Sequence, residues 1–155
     1  MGKYTAAVED HLILPARVRL VQEEERALVG RGECVPTPVP IRLLIDTGAR
    51  RTTLIPGIVN HLGPTSGAAA RLITPVGTAI IDLVWVCLEF PQAGLAPFPH
   101  VLVARHPMPP LLTQFHGLLS RDLLSQMHSF EYQGRRKQYS LRDTPGWFDW
   151  LRRWL

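Results

Sequence analysis

The sequence predicts an all-β domain of short strands with one helix inside it. Three observations carry that reading. Residues 16–22 and the two arms 130–132 and 138–141 alternate apolar and polar side chains with the period of a strand. Proline and glycine recur between the apolar runs, where they end strands and set turns. Inside the domain, residues 121–128 stand out as helical, with Ser120 as a candidate N-cap, Asp122 in the first turn and Leu123, Leu124 and Met127 at helical spacing.

The chain has 155 residues, 46% hydrophobic and 19% charged, which suits one domain around one core. We expect that domain over residues 1–143 and an amphipathic helical tail over 144–155, where Trp147, Trp150, Leu151, Trp154 and Leu155 share one face. The tail face suits packing on its own domain, on a partner or on a membrane surface. The net charge of +4 is scattered in small groups, Arg50-Arg51, Arg135-Arg136-Lys137 and Arg152-Arg153. A nucleic-acid surface would show a denser basic stripe interleaved with aromatics, so no nucleic-acid partner is expected. A basic binder using Arg135, Arg136 and Lys137 is the rival reading from charge alone.

Cys34 and Cys87 are far apart, with no metal-ligand or redox spacing, and are expected as reduced, buried thiols. The six histidines at 11, 61, 100, 106, 116 and 128 show no ligand spacing either, so no metal is expected and they read as structural. Residues 1–11 lack an apolar signal core and the apolar runs near Leu83 are short, so we expect no stable membrane insertion and a cytoplasmic location. No Gly-x-Ser-x-Gly elbow occurs, and neither cysteine sits in a recognisable nucleophile context.

Taken in order, residues 16–22 read as a strand. Pro36, Pro38 and Pro40 then bar helix, and residues 41–45 form a short buried strand that stops at Asp46-Thr47-Gly48. β character resumes over 52–56, residues 56–62 suit a short helical turn, and residues 63–68 make a small, flexible connector. Leu72-Ile73 and residues 78–81 flank Thr74-Pro75-Val76-Gly77 as arms of a hairpin. Residues 79–90 are apolar on both faces apart from Asp82 and Glu89, as in a central strand covered on both sides. A short strand at 101–104 lies among Pro91, Pro97, Pro99, Pro107, Pro109 and Pro110, and a second hairpin spans 130–141.

An isolated Asp-Thr-Gly is often no more than an Asx-type turn. Here Asp46-Thr47-Gly48-Ala49 follows Leu43-Leu44-Ile45 and precedes Thr52-Thr53-Leu54-Ile55, and Gly117-Leu118-Leu119-Ser120-Arg121-Asp122 comes later. The two segments together resemble the two signatures of the retropepsin-like aspartic proteases, over roughly residues 17–143. The resemblance implies a single-lobe acid-protease barrel, partly closed, with one short helix after Ser120. It also implies that the second apolar segment crosses behind the loop of the first.

It further implies an aspartic endopeptidase in which Asp46 is catalytic and Thr47 and Gly48 support it. Ala49, Pro75, Val76 and Gly77 would meet the peptide or protein substrate, the last three in a hairpin that acts as a flap or is an ordinary surface hairpin. The reaction needs two carboxylates sharing one proton, because like charges so close cannot both ionise. One takes a proton from the attacking water while the other polarises the peptide carbonyl, and no cofactor enters. The sequence has one Asp-Thr-Gly, so a homodimer would supply the second Asp46. Thr47 would then bond across the two-fold axis.

Two departures bear on activity. Ser120 stands where glycine is usual, and an N-cap role would give a reason for it. Arg50 stands where an acidic residue is common, so Arg50 and Arg121 would face one site, with Asp122 available to pair with Arg50 or Arg51. The rival on the same fold is a catalytically inactive dimerisation or peptide-binding module.

Overall fold

The computed structural model describes residues 2–8, 10–74 and 77–143. The expected tail helix at 144–155, and Pro75 and Val76, lie outside them. In chain order the elements are strands β1 (Lys3–Ala7) and β2 (Ile13–Arg19), helix α1 (Gln22–Gly30), strands β3 (Val39–Ile45) and β4 (Thr53–Leu54), and helix α2 (Pro56–Leu62). There follow β5 (Gly67–Thr74), β6 (Gly77–Phe90), β7 (Leu95–Arg105), β8 (Gly117–Leu119), helix α3 (Arg121–Leu124), β9 (Ser129–Gln133) and β10 (Gln138–Arg142).

Six strands close on themselves in the order β2-β3-β8-β4-β7-β6, and β6 returns to β2 through Arg17↔Glu89 and Val18↔Leu88. β5 is added outside the ring, on β6. Inward positions fill the barrel: Leu14, Val18, Leu43, Leu54, Val86, Leu88, Val103 and Leu119 are all fully buried. The expected all-β single-lobe barrel is therefore what forms, and it is closed rather than partly closed.

A second sheet of order β1-β10-β9 packs on the barrel through buried Tyr139 and Leu141. The Tyr139 hydroxyl donates to the Ile13 carbonyl. Burial pushes that hydroxyl's pKa up, and neighbouring Tyr4 adds to the effect. β1 was not foreseen from the sequence, since its partner β10 is more than a hundred residues away and its own five residues are weakly patterned.

The barrel seam carries charge. Glu89 accepts from Arg17 Nε at 2.8 Å and from Arg19 Nη1 at 3.2 Å, and Arg19 also pairs with Glu25 of α1. Burial alone would raise the Glu89 pKa, but the bonds from Arg17 and Arg19 outweigh it and hold the carboxyl below its ordinary 4.5. A carboxylate held low stabilises the fold above its unfolded value and loses that contribution as pH falls through the folded one. Glu89→Gln should therefore cost roughly 1 kcal/mol at pH 7 and progressively less as the pH is taken below 4.5, read from urea midpoints across that range.

The structure corrects several expectations. Residues 77–80 of β6 are exposed, with Ile80 76% exposed, because the hairpin extends beyond the barrel; only from Leu83 onward does one face go inside. β7 is eleven residues long and runs through Pro97 and Pro99, its pairing with β6 shifting register between Val86 and Phe90. Helix α1 was missed. It follows directly on β2, carries Glu23, Glu24 and Glu25 in its first turn and buries no side chain, so it offers little apolar periodicity to read. α3 stops at Leu124, not at 128, because the His128 N–H is already bonded to the Arg142 carbonyl at 2.8 Å. Cys34 is exposed, not buried, and Cys87 is half-buried. α2 fits the expected turn, with Pro56 in its first turn and Gly63 closing it at φ +61.

Candidate active site

Asp46 is placed by three strands. β3 brings it to the barrel's end, pairing in parallel with β8 through Leu43↔Gly117, Leu44↔Leu118 and Ile45↔Leu119. The Asp46 N–H extends that ladder by donating to the Leu119 carbonyl at 3.0 Å. β8 in turn pairs antiparallel with β4, so it lies between the strands on either side of the Asp46 loop. The second apolar segment thus crosses behind the loop, as the resemblance implied.

Within the loop, Asp46 Oδ1 accepts the N–H of Gly48 at 2.8 Å and that of Ala49 at 3.2 Å. A Cβ on Gly48 would stand 3.1 Å from that oxygen, so glycine gives the amide room to reach the carboxylate. The two amides fix the carboxylate plane, and Oδ2 accepts no bond among the described residues. Asp46 is half-buried, while Thr47 and Gly48 are exposed. Such an arrangement holds one carboxylate rigidly with one oxygen available to a water or a second carboxyl.

The far side of the loop is anchored to α3. Asp122 accepts from the Thr52 N–H at 2.9 Å, the Thr52 hydroxyl at 2.7 Å and the Leu123 N–H at 3.0 Å. The Arg121 N–H and Nε donate to the Ala49 carbonyl at 3.2 and 3.3 Å. Asp122 therefore does not pair with Arg50 or Arg51: fully buried Thr52 takes both its oxygens. Thr52 and Asp122 are positioning residues that the motif reading did not single out as a pair. The sequence shows the two groups, a hydroxyl six residues after Asp46 and a carboxylate directly after Arg121, but nothing in it joins them.

Ser120 occupies the N-cap position but makes no capping bond through its side chain. It is fully buried, its N–H donates to Thr52 Oγ1 at 3.2 Å, and its own Oγ has no hydrogen-bond partner among the described residues. A buried hydroxyl without a partner costs stability. Ser120→Ala should therefore leave the fold equally stable or raise stability by about 1 kcal/mol, as a shift in the denaturation midpoint.

Ala49 is brought beside Asp46, whereas Gly77 belongs to the β5–β6 hairpin, opposite Thr74 and at φ +141, a conformation only glycine adopts freely. The histidines hold no metal-like cluster among the described residues. His116 is structural, its Nδ1 accepting the Arg42 N–H at 2.9 Å.

No protein-family model and no curated protein matches the sequence. Among solved structures, the chain is similar to the crystal structure of a retropepsin-like aspartic protease from Rickettsia conorii. The two share 18% sequence identity over 90% of this chain and 89% of the other, with a TM-score of 0.60. The fold is retropepsin-like. At that identity the likeness is one of fold, and residue roles rest on the local geometry. In this retropepsin-like lobe the Asp46 loop, β8 and α3 form one bonded unit. No helix among the described residues is long and apolar enough to cross a membrane.

Proposed function

We propose that the chain is an aspartic endopeptidase whose active site is completed by a second copy of itself. The observation that carries this reading is the Asp46 carboxylate, pinned through Oδ1 by the Gly48 and Ala49 amides at the end of a buried strand, with Oδ2 left open. One carboxylate cannot both accept a proton from water and donate a hydrogen bond to a carbonyl, so the chemistry asks for two. A two-fold pair of loops would bring Asp46 against Asp46 of the partner subunit, the two sharing one proton.

In the reaction, the ionised member of the pair takes a proton from water as the oxygen attacks the peptide carbonyl. The protonated member hydrogen-bonds the carbonyl oxygen and stabilises the charge that develops there. Proton return to the amine then releases the two products. Thr47, which is exposed, would bond across the axis, and Ala49 would line the floor. The β5–β6 hairpin, with Pro75, Val76 and Gly77, would close over the peptide and exclude water. A groove of about 570 Å³ lies elsewhere, between β1, β2 and β3, lined by Tyr4, Pro15, Pro40 and Ile41 and not by Asp46.

The test is cleavage of a diverse peptide pool by the wild-type chain, followed across a dilution series alongside sedimentation. Activity per chain should fall in step with the dimer fraction. A protein that is monomeric throughout and cleaves at constant specific activity would refute the shared site. A dimer that binds peptides and cleaves none would support the inactive-module reading instead.

A further inference from the structure

We infer that Arg50, Arg51 and Arg121 form a cationic rim beside Asp46 that selects substrates carrying Asp or Glu within a few residues of the cut bond. The inference rests on the protease reading and names the substrate class of that site. All three side chains are exposed. Arg50 makes no hydrogen bond or ion pair among the described residues. Arg51 donates only to the Leu102 carbonyl at 3.2 Å, and Arg121 only to the Ala49 carbonyl, so neither guanidinium meets a carboxylate.

The one carboxylate close by in these segments apart from Asp46 is Asp122, and three neutral donors occupy it: the Thr52 N–H, the Thr52 hydroxyl and the Leu123 N–H. The positive charge of the rim is therefore not balanced locally. Arg17, Arg19, Arg31 and Arg105 hold acidic partners, whereas Arg26, Arg42, Arg71, Arg135 and Arg136, like the rim, form no ion pair among the described residues. What sets Arg50, Arg51 and Arg121 apart is that all three belong to the segments where the Asp46 loop meets α3.

Reach is compatible with substrate contact. Arg50 follows Asp46 by four residues, a chain distance of at most ~14 Å. An extended peptide advances ~3.4 Å per residue, so side chains two to four positions from the cut bond fall in range. Guanidinium is suited to carboxylate because its fork of N–H groups meets both oxygens. In a two-fold site the rim would repeat on both sides of the cut, favouring acidic residues on either flank.

The experiment compares matched peptides carrying Glu or Gln at each of four positions on either side of a cleaved bond. Wild type should cleave the Glu members with kcat/KM about 3- to 10-fold higher at one or more positions, and the gap should narrow in high salt. Arg50→Glu and Arg51→Glu should turn the preference toward Lys and Arg. Equal cleavage of Glu and Gln peptides by wild type overturns the inference while leaving the protease reading intact.

Binding is measured in parallel with Asp46→Asn and labelled peptides. Salt-sensitive preference for Glu there supports the rim even if no peptide is cleaved, a result that would fail the protease reading alone. Equal or absent binding overturns the rim. Sedimentation of Arg50→Glu completes the set. An intact dimer with altered preference supports substrate contact, whereas dissociation to monomers assigns Arg50 to the subunit contact and overturns it.

Discussion

Asp46→Asn should lower peptide cleavage at least ~10³-fold while leaving the chain folded and dimeric. The substitution is close to isosteric, and the Asn side-chain oxygen can still accept the Gly48 and Ala49 amides that now hold Oδ1 at 2.8 and 3.2 Å. The loop therefore keeps its shape. What is lost is the group that takes a proton from water, since an amide neither ionises nor shares a proton with a facing carboxylate. Circular dichroism and sedimentation matching wild type, together with lost cleavage, would place the defect in the chemistry.

The same variant tests whether the site is shared. If subunits exchange freely and a dimer with one Asp46 is inactive, an equal mixture of wild type and Asp46→Asn retains ~25% of the activity of the same total wild-type chain. Independent single-chain sites would retain ~50%. Full activity in Asp46→Asn alone would remove the proposed function altogether.

What could be read from the sequence was what depends on local chemistry. The strand ending at Asp46 was visible because residues 41–45 are apolar apart from Arg42 and are halted by Asp-Thr-Gly. The hairpin 129–142 was visible from its alternation, and α2 from its proline start and glycine stop. What escaped was set by distant partners. β1 becomes a strand by pairing with β10, and β7 carries two prolines because its register with β6 is broken by bulges. α1 is held by charge, with Glu24 Oε1 accepting from the amides and hydroxyls of Thr65 and Ser66. The pairing of Asp122 with Thr52, rather than with Arg50 or Arg51, was likewise unreadable. Either choice satisfies the sequence, and only the approach of α3 to β4 decides it.

That approach depends on one residue without a side chain, which leads to the largest expected loss of stability. Gly117 opens β8 opposite Leu54, and a Cβ there would overlap the Thr53 carbonyl oxygen and stand 3.1 Å from Leu54 Cδ2. The first obstacle is backbone, so no side-chain rotation relieves it. Gly117→Ala must therefore push β4 from β8 at the point where both frame the Asp46 loop. The barrel closes through the same pairing, β3-β8-β4-β7, so the strain spreads along the ring rather than to a free edge. Overpacking of this kind costs about 3 kcal/mol or more, a large share of a small domain's stability. Gly117→Ala should lower the urea midpoint accordingly or prevent folding, whereas Gly57→Ala, on the exposed side of α2 where a Cβ meets nothing within 4 Å, should change it little. Equal midpoints for the two variants would show that β4 and β8 can separate without cost. The bonded unit of Asp46 loop, β8 and α3 would then be looser than its hydrogen bonds indicate, and the rigid carboxylate on which the proposed chemistry depends would lose its support.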